Sequence, residues 1–85
     1  MKYQVDILPP ARKALKNIDR RYLQKILERI DFLEIDPYHH GSIKLSGHEN
    51  SYRTRVGKYR ILYKIYDDKV LVVVVNVDHR KDVYK

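Results

Sequence analysis

The stretch 51–77 reads SYRTRVGKYRILYKIYDDKVLVVVVNV, three β-type runs broken only by Gly57-Lys58 and by Asp67-Asp68. Two such runs joined by a Gly-X pair call for a two-residue hairpin, because glycine at the first central position supplies the positive φ of a type II′ turn. That turn fixes the register: Val56 faces Tyr59, Arg55 faces Arg60, Thr54 faces Ile61 and Arg53 faces Leu62. Side chains alternate along a strand. Arg53, Arg55 and Arg60 therefore share one face, and Tyr52, Thr54, Val56, Tyr59, Ile61 and Tyr63 share the other. Like charges directly opposite each other destabilise a sheet, so a hairpin that sets Arg55 against Arg60 with Arg53 beside them looks arranged for an anion supplied from outside the chain.

The remainder must complete a fold around this hairpin within 85 residues, the size of one small domain spanning 1–85. The chain has no cysteine, which excludes a disulfide scaffold and a Cys-containing zinc site and fits a reducing compartment. Its longest apolar run, 70–75, is too short to cross a bilayer, and the N-terminus lacks the layout of a secretory signal. A cytoplasmic protein with no membrane partner is expected. Eighteen Lys and Arg against eleven Asp and Glu leave a formal charge of +7, which directs attention to a polyanionic partner.

Read in order, 1–8 alternates, with Tyr3, Val5 and Ile7 on one side and Lys2, Gln4 and Asp6 on the other, as a half-buried strand does. Pro9-Pro10 suits the first turn of a helix, where a missing N–H costs little. Ala11, Ala14, Leu15 and Ile18 continue at helical spacing, with Arg12, Lys13 and Lys16 on the wet side. Asp19 is placed to cap a second helix. Leu23, Ile26, Leu27, Ile30 and Leu33 give that helix an apolar stripe; Phe32 and Ile35 fall off it and either widen it, the reading a domain this small favours, or mark a partner-binding surface, and Asp36-Pro37 supplies the stop. The segment 37–50 reads as a loop pinned to the core by Ile43 and Leu45. The run 70–75 is apolar on both faces, as in an interior strand. A two-residue turn around 67–69 would put Leu71, Val73, Val75 and Val77 on the arginine face as an apolar floor. The expected fold class is α+β: an N-terminal strand, then an antiparallel helix hairpin packed on one face of a four-stranded, mainly antiparallel sheet.

The chemistry concentrates in Arg53, Arg55, Arg60 and Arg80, with Lys58 near the turn. Arginine presents a rigid fork that matches phosphate oxygens and stays charged at any biological pH. Several forks around one phosphate would hold it and stabilise the charge that grows during phosphoryl transfer. Tyr84, beyond the last expected strand and near Arg80, could stack on a base or donate to a phosphate or sugar oxygen. His39-His40 lack the i, i+4 spacing of a helical metal pair, and no metal or cofactor is expected. His79, next to Arg80, is the histidine best situated for proton transfer. Asp67, Asp68 and Asp78 read as turn or strand-end residues.

YRTRVGKYRILYKI, the closing VDHRKDVY and the loop DPYHHGSIKL followed by SG together resemble, in order and over nearly the whole chain, the RelE/ParE superfamily of type II toxins, and most closely its RelE branch. The resemblance implies an mRNA interferase acting in the ribosomal A site, in which the mRNA 2′-hydroxyl attacks the adjacent phosphate without metal or cofactor. It assigns catalytic roles to Arg53 and Arg55 on one strand, Arg60 on the next, Arg80 after the last strand, and Tyr84; Lys58, His79 and Lys81 are expected beside them as RNA contacts. It also implies a cognate antitoxin that wraps the toxin. RelE members often carry lysine where Arg53 and Arg55 stand, and one such lysine is a proposed general base; arginine is a poor proton acceptor. The alternatives are a ParE-like toxin that inhibits DNA gyrase by binding, and an RNA-binding module without chemistry.

Overall fold

Helix and strand follow the punctuation of the chain closely in the computed structural model, which describes residues 2–79. Strand β1 (Gln4–Ile7) leads into helix α1 (Pro9–Leu15), whose two prolines occupy the first turn where no intrahelical partner exists for an N–H. Helix α2 (Arg20–Phe32) is capped by Asp19, whose side chain accepts from the Arg21 amide at 2.9 Å. That bond and the Arg21 guanidinium hold the Asp19 carboxyl below its usual range. Strands β2 (Ile43–Lys44), β3 (Ser51–Val56), β4 (Tyr59–Tyr66) and β5 (Leu71–His79) follow.

The sheet has five strands in the order β1-β5-β4-β3-β2, with β1 parallel to β5 and the other pairs antiparallel. The fifth strand is β2, where a plain loop was expected: Ile43 and Lys44 pair with Arg53 and Tyr52. Backbone pairing fastens this segment: Ile43 stays 50% exposed, while Leu45 is half-buried and its N–H donates to the Ser51 carbonyl at 2.8 Å. In the interior of the sheet, β5 lies between β1 and β4, as its two-sided apolar character requires.

The β3–β4 hairpin has the expected register, from Val56 opposite Tyr59 to Arg53 opposite Leu62. Gly57 has φ +58 whereas Lys58 is not among the positive-φ residues, the combination of a type II′ turn. A Cβ at Gly57 would also lie 2.8 Å from Tyr22 Cε1, so this glycine is demanded both by its own backbone and by α2.

One face of the sheet is covered by the helices. The core is built from Ala11, Ile26, Ile30 and Leu33 against Val56, Ile61, Tyr63, Ile65, Val72, Val74 and Val77. Leu27, Phe32 and Ile35 do not extend this core; they are 42%, 41% and 62% exposed. The helix ends at Phe32, so Ile35 lies beyond it, and the Phe32 ring turns instead to His39, with centroids 5.7 Å apart.

The loop after α2 is held down by polar contacts. The Tyr63 hydroxyl donates to the Pro37 carbonyl (2.8 Å) and accepts from Ser42 (2.6 Å); burial pushes this phenol up, while the bond from Ser42 acts the other way. Fully buried Thr54 receives Arg29 Nη1 at 2.5 Å and meets His39 Nε2 at 2.8 Å. His39 Nδ1 lies 3.1 Å from the Asp36 carbonyl, which can only accept, so in the neutral ring Nδ1 bears the hydrogen and Nε2 accepts from Thr54.

The β4–β5 connection is longer than the two-residue turn expected. A 3-10 turn, Asp67–Lys69, is closed by Val70 in the left-handed region at φ 49, an uncommon conformation for a β-branched residue. Both backbone groups of Val70 are used: its carbonyl receives Gln4 N at 2.9 Å, and its N–H reaches the Asp67 carbonyl at 3.2 Å. The Asp67 carboxylate accepts from the Tyr3 hydroxyl (2.8 Å) and the Tyr38 hydroxyl (2.6 Å), tying the N-terminal strand and the loop after α2 to this turn. The phenols hold the Asp67 carboxyl below its usual range, Tyr38 first and Tyr3 second. In return Tyr3 is raised chiefly by its bond to Asp67, and Tyr38 by burial and then by that bond.

Candidate functional site

The sheet face away from the helices is organised as rows of paired residues, and adjacent rows on one face are two residues, about 6.5 Å, apart along each strand. The row nearest the β3–β4 turn is Arg55, Arg60 and Asp78; the next is Ile43, Arg53, Leu62 and Asn76; the third contains Ser51, Lys64 and Val73. Arg53, Arg55 and Arg60 thus share the open face, and Lys64 joins them. Lys64 could have been found from the sequence, since it stands at even spacing from Arg60 and Leu62 on the same strand.

Asp78 could not. A β-bulge interrupts the pairing of β4 with β5, so that Leu62 faces Asn76 but Tyr63 faces Val74. Val75 is the extra residue, and beyond it the alternation of β5 is reversed. Val77, expected on the arginine face, is instead opposite Ile61 in the core at 4% exposure. Asp78, expected as a strand-end residue, is brought beside Arg60. Arg60 Nε donates to Asp78 Oδ1 at 3.0 Å and Nη2 to Oδ2 at 3.1 Å, with the two side chains 18% and 25% exposed. The planar guanidinium is thereby fixed in orientation. It is also drawn toward β5 and away from Arg55, which is how the sheet tolerates two arginines directly opposite each other.

Arg55 is exposed and Arg53 partly so. Beyond the short β2, the outer edge of β3 is capped from α2: Arg29 Nη1 donates to the Arg55 carbonyl at 3.1 Å as well as to Thr54. The Arg55 backbone is therefore held at both ends of the side chain's root, by the β4 pairing and by Arg29, while the guanidinium stands in solvent.

Two of the expected RNA contacts point elsewhere. Lys58 Nζ lies over the Tyr22 ring, 5.8 Å from its centroid, on the helix side of the turn. His79 pairs with Tyr59 on the helix side of the sheet, with ring centroids 5.2 Å apart and nearly perpendicular planes. It is separated by the sheet from the three arginines. Arg80, Lys81 and Tyr84 lie outside the described residues. Among the described residues no group of three or more His, Cys, Asp or Glu could hold a metal ion, and no helix is long and apolar enough to cross a membrane.

The arrangement can bind an anion through Arg53 and Arg55, with Arg60 oriented behind them by Asp78 and Lys64 further along the same face. It offers charge stabilisation. Arginine supplies no practical general base.

Comparison with known proteins gives a consistent picture. A family described as the ParE toxin of type II toxin–antitoxin systems matches residues 5–84. The chain is 33% identical to toxin RelG of Mycobacterium tuberculosis over all of this chain and 99% of that protein. It is 30% identical to a Methanocaldococcus jannaschii protein named as toxin RelE1, over all of this chain and 98% of that protein. Among solved structures, the RelBE2 toxin–antitoxin complex of M. tuberculosis contains a chain that superposes with a TM-score of 0.83 at 30% identity, covering 94% of this chain and 100% of that one.

Proposed function

Because this chain belongs to the ParE toxin family of type II toxin–antitoxin systems, and to the RelE branch within the RelE/ParE superfamily, we propose that it inhibits translation as a ribosome-dependent endoribonuclease cutting mRNA in the A site. The observation that carries this reading is the shared open face of Arg53, Arg55 and Arg60, with Arg60 held in plane by Asp78. In the proposed reaction an mRNA 2′-oxygen attacks the neighbouring phosphorus and the 5′-oxygen of the next nucleotide leaves. A 2′,3′-cyclic phosphate and a free 5′-hydroxyl result, the 2′-hydroxyl giving up a proton and the departing oxygen gaining one. Arg53 and Arg55 receive the non-bridging oxygens, and Arg60 adds charge that is worth most as the phosphorane develops. The arginines cannot take the 2′-proton, so that task falls to Tyr84, to the RNA or to the ribosome. The family resemblance gives Arg80 and Tyr84, outside the described residues, further roles toward the RNA, and the proposed reaction needs no metal.

The chain is also proposed to be silenced by a cognate antitoxin, since the matching M. tuberculosis chain was solved in a toxin–antitoxin complex. A cytoplasmic location follows from these partners.

The test is to incubate the protein with programmed ribosomes, map mRNA ends, and assay DNA gyrase in parallel. Codon-internal cuts that disappear in Arg60→Ala and Tyr84→Phe support the proposal. Intact mRNA with inhibited gyrase replaces it by the ParE-like mode of action, and salt-sensitive RNA binding without either effect reduces the protein to a binding module.

A further inference from the structure

One row beyond the arginines, the open face dips into a depression of about 150 Å³. Leu62 and the bulge residue Val75 line it from β4 and β5, Leu45 and His48 from the loop before β3, and Lys64 and the largely buried Ser51 beside them. Leu62 is directly opposite Arg53, so the depression begins where the phosphate-binding row ends. The bulge is what makes it. Without the extra residue, Val75 would sit in the regular pleat, and such bulges re-aim side chains beside active sites.

The chemistry of the lining is that of a flat, apolar ring with a polar edge. Leucine and valine offer a dry surface for a ring face. Ser51 Oγ donates to the Glu49 carbonyl at 3.3 Å and keeps acceptor capacity on its oxygen, while Lys64 carries a donor on an aliphatic stem that can lie along the wall. A donor and an acceptor in one lining suit the hydrogen-bonding edge of a nucleobase. A second phosphate would find one lysine beside an apolar floor, which suits it poorly.

We propose that the depression formed by Leu45, Leu62, Val75, Ser51 and Lys64 is a nucleobase subsite that seats the base adjoining the phosphate held by Arg53 and Arg55. This rests on the phosphate-binding reading of the arginine face and makes Lys64 and Val75 determinants of which nucleotide is preferred there. Lys64 touches the base edge; Val75 acts by shape.

The experiment is an NMR titration of the full chain, labelled at Leu and Val methyls and at arginine Nε–H, with inorganic phosphate and, separately, with adenosine and uridine monophosphates. Phosphate should move the Arg53 and Arg55 signals alone, and the nucleotides should move these together with the Leu45, Leu62 and Val75 methyls. Val75→Phe, which fills the depression, should weaken nucleotide binding about tenfold relative to phosphate, the scale of one lost base contact. If nucleotides move the arginine signals and leave all three methyls still, the subsite is refuted and the phosphate site stands. If neither probe moves the arginine signals, the phosphate site itself is refuted, and the subsite with it. The wild-type titration decides the question even if Val75→Phe does not fold.

Discussion

The two ends of β4 handle charge in opposite ways. At its start, Arg60 faces Arg55, and among the described residues the Asp78 carboxylate engages Arg60 from the neighbouring strand. At its finish, the Asp67 carboxylate is met on both oxygens by phenols from two distant segments. The first end leaves cationic groups facing solvent; the second turns a charge into a fastening. A domain of this size has few elements with which to fix its N-terminal strand and its long loop, and the Asp67 clamp fixes both at the end remote from the arginines. At the arginine end, by contrast, Arg55 keeps its side chain exposed to solvent.

That division is exposed to substitution, and the largest effect is expected at the arginines. Arg55→Ala and Arg60→Ala should each lower cleavage on programmed ribosomes by roughly a hundredfold or more, the size of a lost transition-state contact. Arg55→Ala should meanwhile leave the thermal midpoint unchanged or raised, since a like-charge opposition is removed. A lowered midpoint in Arg55→Ala would show that this end is structural after all. Next comes the turn between them. Gly57→Ala should cost about 2 kcal/mol in urea unfolding, from the left-handed backbone together with the contact against Tyr22, and should reduce cleavage only as the folded fraction falls.

At the other end the signs reverse. Asp67→Asn should lower the midpoint by a few degrees without weakening RNA binding, because the clamp is far along the sheet from Arg53 and Arg55. The smallest effect is its pH signature. The Asp67 carboxyl is lowered in the fold, so its contribution is present above the ordinary carboxylate pKa and is lost as pH falls through the lowered value. Tyr3 and Tyr38 are raised, so theirs is present below the ordinary phenol pKa and is lost as pH rises through the raised values. In Asp67→Asn the acid limb of the midpoint–pH curve should flatten. The alkaline limb should flatten only in part, because burial is the leading cause at Tyr38.

Much of this contrast was legible in the sequence, and the missing part has a definable cause. Gly57-Lys58 carries enough stereochemistry to dictate a turn, and the turn dictates which residues share a face, so the chain alone puts the three arginines together. Asp19 and Pro9-Pro10 announce helix starts because each solves a local hydrogen-bonding problem. The bulge at Val75 has no such mark. Within a run of valines an inserted residue changes neither composition nor hydropathy, and only tertiary pairing reveals that Asp78 and Val77 have exchanged faces. The Asp67 clamp was hidden for a related reason: Tyr3 and Tyr38 are remote from Asp67 in the chain, and nothing local to a tyrosine says where its hydroxyl ends. Likewise nothing local to Phe32 and Ile35 says that the helix stops at Phe32, leaving Ile35 largely exposed and Phe32 against the His39 ring.

The arginine face takes the anion although the helix side is basic too, with Arg12 and Lys13 on α1 and Lys16 at its C-terminal cap. The direct measurement is the salt dependence of single-stranded RNA affinity for the wild type and for Arg53→Ala, Arg55→Ala and Lys16→Ala. Each arginine substitution should reduce the slope of log affinity against log salt by about 0.7, the value for one released phosphate contact on a single strand, and Lys16→Ala should leave it unchanged. A slope that falls with Lys16→Ala and holds in both arginine variants would place the RNA on the helices and contradict the account.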